Sequence, residues 1–302
     1  MKKNSLSVII SAYNEEKNIE DCLRSVAFAD QIIVVDNSSS DKTAQLAKKF
    51  TKYVYKKPNN LMLNINKNFG FTKATNEWIL SLDADERVDE ALATEIQETI
   101  EDTQKTGFWI PRKNIIFGKW IQHSLWWPDY QLRLFRAKHG SFAQQHVHEM
   151  LTVDGETGKL IHPIVHYNYQ TVTQFIYKMD KIYTESEVEN ILSSGKYLTW
   201  VDAIRMPAND FIKTFLFQKG YKDGLHGLVL SMFQAMYAEV VFAKVWERQG
   251  FPEYNQTNFL HDVLKELQKV AREWNYWVLT NLIELSTNTL QKIRLKLKRK
   301  TL

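Results

Sequence analysis

The segment ILSLDADERVDE, residues 79–90, closes an apolar run with Asp83, Asp85 and Glu86, and Asp89 and Glu90 follow closely. Two carboxylates two residues apart at the end of an extended strand project to the same side, because side chains alternate along it. Hard carboxylate oxygens suit Mg2+ or Mn2+, which take few protein ligands and complete their shell with water and substrate phosphates. Asp89 and Glu90 fit another task, capping a following helix and compensating its dipole. Glu86 fits either group, and an Asp-x-Asp alone is open to the purely structural reading throughout. Two further acids have suggestive neighbours, Asp129 in WWPDYQLR and Glu149 in HVHE. Trp126 and Trp127 can form an apolar platform and raise the pKa of Asp129 by desolvation, although aromatic residues are more often core. Of His146, His148, His162 and His166, His148 is the first candidate for a metal or phosphate contact because it adjoins Glu149. His166 is the reserve.

The elements that must position these groups are legible as patterns. Residues 6–13 and 31–35 are continuous β-rich apolar runs, as expected of strands buried on both faces of a parallel sheet. Ile19, Leu23 and Val26 recur at helical spacing between them, and Ser40 can cap a second helix running to Phe50. Residues 53–57 and the apolar run into Asp83 read as further strands, and residues 66–75 and 91–100 as helices. This alternation predicts a doubly wound α/β sheet whose ligands bind beyond the carboxyl ends of its strands, where the acidic cluster lies. After Gly107 the pattern becomes aromatic and irregular up to HYNYQ, and from Thr173 helices dominate. The expected organisation is a domain over 1–170, with halves of about 1–105 and 106–170, followed by a helical extension over 171–302.

Composition excludes several chemistries. The turn after the first strand reads SAYNEE without glycine, and GxxxxGK[ST] is absent, so the common backbone cradles for phosphate are missing. Cys22 is the only cysteine, which removes intrachain disulfides and clustered-cysteine zinc and suits a reducing compartment. The formal charge of +4 is too small to indicate nucleic acid. Six basic residues, Lys292, Arg294, Lys296, Lys298, Arg299 and Lys300, crowd the end of the chain. Without them acids outnumber bases.

Taken in order, SVIISAYNEE, IIVVDNSSSDKT, NFGFTKAT and WILSLDADE resemble the family 2 glycosyltransferases of the GT-A fold. NIIFGKWIQHSLWWPDYQLRLFR, QHVHE and LIHPIVHYNY look like the subgroup similar to lipopolysaccharide core β-glucosyltransferases, and the resemblance thins beyond about residue 170. It implies a GT-A nucleotide-sugar domain and an inverting, metal-dependent transfer of glucose from a UDP-sugar to a bacterial surface glycolipid. By the same resemblance Ala12, Tyr13, Glu15 and Asp36 surround the base, Lys67 and Asn68 lie beside the nucleotide, and Asp83 reaches the ribose or metal. Asp85 ligates the metal bridging the two phosphates. Asp129 is favoured as general base over Glu149, while Trp127, Arg133 and Arg136 serve acceptor and diphosphate. A nucleotidyltransferase is the enzymatic rival, lacking its usual Gly-rich basic loop here. A catalytically silent sugar-binding or assembly protein is the non-enzymatic one.

The helical third carries two surface signals. Residues 225–246 are apolar enough to raise the question of a membrane span, yet include His226, Gln234, Glu239 and Lys244, which suits a packed or interfacial helix better. Val263, Leu264, Leu267, Val270, Ala271, Trp274, Trp277 and Val278 fall on one helical face, suited to an intramolecular or a homo-oligomer interface. With the basic tail, these features lead to an expected cytoplasmic protein, peripheral on the inner membrane through anionic lipid. A plain solvated tail is the alternative.

Overall fold

The computed structural model describes residues 4–59, 63–143, 150–254 and 257–302. The strands are β1 (Leu6–Ala12), β2 (Gln31–Asp36), β3 (Val54–Lys56), β4 (Trp78–Asp83), β5 (Glu86–Arg87), β6 (Gly107–Ile116), β7 (Lys119–Trp120), β8 (Asp129–Arg136), β9 (Gly140–Ser141), β10 (Thr152–Val153), β11 (Thr157–Lys159) and β12 (Ile164–Tyr169). The α-helices are α1 (Ile19–Ser25), α2 (Thr43–Ala47), α3 (Leu63–Phe71), α4 (Glu90–Glu101), α5 (Val172–Lys178), α6 (Thr184–Ser193), α7 (Trp200–Phe211), α8 (Leu225–Arg248), α9 (Phe259–Leu285) and α10 (Thr289–Lys300).

The described chain forms two compact units, residues 1–120 with 126–170, and residues 121–125 with 171–302. In the first, the main sheet runs β3-β2-β1-β4-β8-β6-β12-β5. The four strands β3, β2, β1 and β4 are parallel, as right-handed β-α-β connections require. β8 enters antiparallel between β4 and β6, which makes the sheet mixed. Every residue of β1 is buried. Val8 and Ile10 pack on one face against Leu23 of α1 and Leu92 and Ile96 of α4, while Ile9 joins Ile33, Val35 and Phe135 on the other. Burial on both faces explains why these strands lack polar alternation.

Local details correct two expectations. Ser40 does not cap a helix: its N–H and hydroxyl donate to Asn14 Oδ1, and α2 begins only at Thr43. β4 ends at Asp83, and Ala84 and Asp85 form a turn into β5, so strand alternation does not place Asp83 and Asp85 together. Asp89 caps α4 as expected, accepting from the Leu92 N–H at 2.9 Å.

In the second unit α8 is central. It is long and apolar enough to cross a membrane by length and composition, but Leu230, Ala238, Val241 and Val245 are buried, the last two in a core with Val188 and Ile191 of α6. Its Lys244 pairs with Asp180 at 2.9 Å and Glu185 at 2.7 Å, so the charge is used inside the unit. Of the α9 stripe expected to form an intramolecular or homo-oligomer interface, Leu264, Leu267, Ala271 and Trp274 are exposed and Val263, Val270, Trp277 and Val278 half-buried, with Trp277 packing on Phe217. α9 instead buries Glu266, Leu279 and Asn281.

Gly70 of α3 marks a close approach of helix to sheet. A Cβ there would lie 2.5 Å from Ile9 Cγ2 and 3.0 Å from Val35 Cγ2. Gly70→Ala should lower stability by about 1–2 kcal/mol net of the helix preference for alanine. Urea denaturation should report this as a lower midpoint with an unchanged slope; an unchanged midpoint would mean that the interface yields freely.

Candidate active site

At the carboxyl edge of the sheet, polar side chains from neighbouring strands form a continuous network. Register places Arg112 of β6 opposite Asp129 of β8, and His166 of β12 opposite both Asn114 of β6 and Glu86 of β5. Asp129, Gln131 and Arg133 alternate along β8 with residues between them turned away, as do Arg112 and Asn114 along β6, so the strand period gathers them.

Asp83 ends β4 with both carboxylate oxygens engaged. Oδ1 lies 2.6 Å from Lys67 Nζ, and Oδ2 accepts from Arg133 Nη2 at 2.8 Å. Burial opposes its charge, but Lys67 and Arg133 outweigh that and hold the carboxyl far below the usual range. Glu86 is fully buried and completes the cluster. It accepts from Arg133 Nη2 at 2.8 Å and from the Asp83 N–H at 2.9 Å, and its other near cation is Arg112 at 3.8 Å. Glu86, ambiguous in the sequence, therefore belongs with the site and not with the helix start.

Asp129 accepts hydrogen bonds from Arg112 Nε (2.8 Å), Gln131 Nε2 (2.8 Å) and Asn114 Nδ2 (3.2 Å), and Arg112 Nη2 approaches to 2.6 Å. Burial raises its pKa, as expected from the aromatic setting, yet the Arg112 charge and these bonds prevail, and the net shift is downward. The expected elevation is thus reversed. Trp127 sits edge-to-face on Trp120 at 5.3 Å, half-buried beside it.

Asp85 faces His166, with Oδ2 3.5 Å from Nε2. The Asn114 amide fixes this imidazole. Its NH2 donates to the Trp126 carbonyl and to Asp129, both acceptors, so its Oδ1 is the end that meets His166 Nδ1 at 2.7 Å. Nδ1 must then carry a proton, and Nε2 is the atom left toward the carboxylate. A hydrogen-bonded histidine presenting its other nitrogen toward a carboxylate is the usual support of a metal ligand. Among the described residues no group of three or more His, Cys, Asp or Glu is placed to hold a metal. Asp85 and His166 nonetheless fit an ion of the Mg2+ or Mn2+ kind, which takes most of its shell from phosphates and water. Asp83, already neutralised by two cations, does not fit that role in this arrangement. His166, the reserve in the sequence, is the histidine that faces Asp85 among the described residues.

The remaining expected residues divide. Ala12 ends β1 in register with Asp36, which is buried and accepts from the Ser39 N–H at 3.3 Å. Tyr13 is exposed beside them, and Glu15 accepts from Asn18 at 2.6 Å. Asn68 holds backbone, giving to the Phe142 carbonyl and accepting from its N–H. Arg136 lies apart from the site. It is opposite Trp78 at the start of β4, about 16 Å along that strand from Asp83, where it pairs with Glu77 and covers the Trp78 ring. His148 and Glu149 lie outside the described residues. Sequence reasoning missed Arg112, Asn114 and Gln131; the D-x-Q-x-R alternation at 129–133 was the available signal for Gln131.

Residues 7–152 match the family model described as Glycosyl transferase family 2. This stretch is a family 2 glycosyltransferase domain. The chain is 26% identical over 257 residues to a lipopolysaccharide core biosynthesis glycosyltransferase, LpsC, of Rhizobium meliloti strain 1021, covering 82% of this chain and 94% of that protein. It is 27% identical over 290 residues to an uncharacterized glycosyltransferase, RT0209, of Rickettsia typhi, covering 90% of this chain and 98% of that one. Among solved structures it is similar to Staphylococcus aureus TarS 1-349 in complex with UDP-GlcNAc, at a TM-score of 0.45 and 16% identity over 83% of this chain and 93% of that one. The sheet order, with parallel β3-β2-β1-β4 followed by antiparallel β8, is the GT-A arrangement expected from the sequence.

Two outcomes test the charge cluster. Glu86→Gln should cost about 3 kcal/mol at neutral pH, because it leaves Arg133 buried with one partner fewer; a loss within experimental error would show Glu86 to be dispensable. For Asp83 the folded pKa is depressed, so its stabilisation is present above the unfolded value of about 3.9 and is lost as pH falls from there toward the folded value. The gap in melting temperature between wild type and Asp83→Asn should therefore be wide at neutral pH and narrow under acid. A gap independent of pH would contradict the pairing.

Proposed function

We propose that the transferase moves a sugar, glucose by the sequence resemblance, from a UDP-sugar to a glycolipid acceptor of the lipopolysaccharide inner-core type, with inversion at the anomeric carbon. The observation that carries this reading is the imidazole of His166, set by Asn114 and aimed at Asp85 beyond the end of β4. That is the place where open α/β sheets bind ligands. The relative named for lipopolysaccharide core biosynthesis supports the acceptor class. UDP, glucose and inversion rest on the resemblance.

Ala12, Tyr13, Glu15 and Asp36 take the nucleobase side, with Lys67 and Asn68 beside them and Asp83 toward the ribose. Lys67 and Arg133 already converge on Asp83, and a diphosphate arriving there would share their charge. Asp85 and His166 would hold a divalent cation, which supplies positive charge where negative charge develops on the leaving diphosphate. Asp129 is the general base. Its lowered pKa keeps it ionised and ready, but also makes it a weak acceptor, so the proton leaves the acceptor hydroxyl only as that oxygen bonds to the anomeric carbon and the bond to the diphosphate breaks. Glu149 is the alternative base. Trp127 offers the acceptor sugar an apolar face. A glycolipid acceptor places the reaction on the cytoplasmic face of the inner membrane.

Purified protein titrated with UDP-, GDP-, ADP- and CMP-sugars, with and without Mn2+, should be stabilised in thermal shift by the UDP-sugars above all, and more with metal. No nucleotide sugar stabilising it under either condition would end the donor assignment. Asp85→Ala should abolish the metal-dependent part of donor binding. Asp129→Asn should bind donor as wild type does and lose transfer by about 100-fold or more. The opposite pattern would reverse the two roles.

A further inference from the structure

The end of the chain is a helix with its apolar stripe facing outward. α10 packs on α9: Arg299 donates to Thr280 Oγ1 at 2.9 Å and lies over the Tyr276 ring at 5.3 Å. Lys292, Leu295 and Arg299 fall on that packed side, and all three are partly covered. Leu290, Ile293 and Leu297, at the i, i+3, i+7 spacing of a single stripe, fall on the opposite side, 78%, 51% and 61% exposed. On a helix that served only the fold, apolar stripe and packed side would coincide. Here the packed side is made largely of basic stems, and the apolar ridge is left in solvent.

Charge arrangement identifies what the ridge fits. At 3.6 residues per turn, Arg294 and Lys298 flank the stripe on one side and Lys296 and Lys300 on the other, and α10 contains no acid. Long basic side chains on both shoulders of an apolar ridge can keep their ammonium and guanidinium groups at headgroup level while the ridge enters the acyl boundary. A protein partner's apolar groove would need acids on both rims to match. A second copy of this chain would bring like charges together.

We infer that α10 docks on an anionic lipid bilayer, with Leu290, Ile293 and Leu297 inserted and Arg294, Lys296, Lys298 and Lys300 on the phosphates. This surface is independent of the donor and acceptor assigned above. It gives the tail a role beyond solubility, and α8 contributes to it only as the core of the unit.

The test uses the full chain with vesicles of pure phosphatidylcholine and of phosphatidylcholine with phosphatidylglycerol, followed by flotation. The wild type should float with the anionic vesicles, and raising the salt should weaken but not abolish binding, because the ridge is insensitive to screening. The triple variant Leu290→Ser, Ile293→Ser, Leu297→Ser should partition at least about tenfold less. So should the quadruple variant Arg294→Gln, Lys296→Gln, Lys298→Gln, Lys300→Gln. Both should keep the wild-type circular dichroism and melting temperature, since none of the seven side chains lies on the packed side. Equal flotation with both vesicle types, or wild-type flotation by either variant, would overturn the inference. So would a wild-type dimer in sedimentation velocity that the triple variant dissolves, which would assign the ridge to a second copy.

Discussion

The catalytic-side architecture hangs on a buried guanidinium. Arg133 Nη2 serves Asp83 and Glu86 at once, both at 2.8 Å, and thereby ties the end of β4 to β5 and to the antiparallel strand β8. Taking such charges out of water is expensive, and their mutual attraction repays the cost only when every partner is in place. The fold therefore cannot relax one member independently. Asp83 is held by the same contacts that make the sheet edge stable.

This arrangement separates two groups of carboxylates that look alike in the primary structure. Asp83 and Glu86 belong to a self-neutralised cluster with Lys67 and Arg133, whereas Asp85 stands in the turn and meets an oriented imidazole. A divalent ion competing for the first group would have to displace two cations; at Asp85 it meets a geometry already suited to it.

Much of the donor half was legible in the sequence because its signals are local. β1, β2 and β4 are buried on both faces and appear as unbroken apolar runs, and the Asp89 cap follows from residue type and position. What was not legible depends on long-range pairing. Lys67 reaches Asp83 from a helix 16 residues away, and Arg112, Asn114 and His166 meet only because β6, β8 and β12 are adjacent in the sheet. Arg133 and Arg136 looked equivalent as neighbouring basic residues. Three residues apart along β8, they reach different parts of β4, its end at Asp83 and its start at Trp78, so one enters the cluster while the other stacks on Trp78. The exposed ridge of α10 is a subtler case, since periodicity shows that a stripe exists but not which side of the helix finds a neighbour.

Asn114 carries a consequence of its own. One small amide spends its donors on Asp129 and the Trp126 backbone and its acceptor on His166, so it is bonded at both ends and buried. No other standard side chain offers that combination at that length: aspartate has no donor, leucine neither function, and glutamine reaches too far. Position 114 is therefore a point where the tolerance of the chain to change collapses to a single residue. Through it, the settings of Asp129 and of His166 are obliged to vary together or not at all.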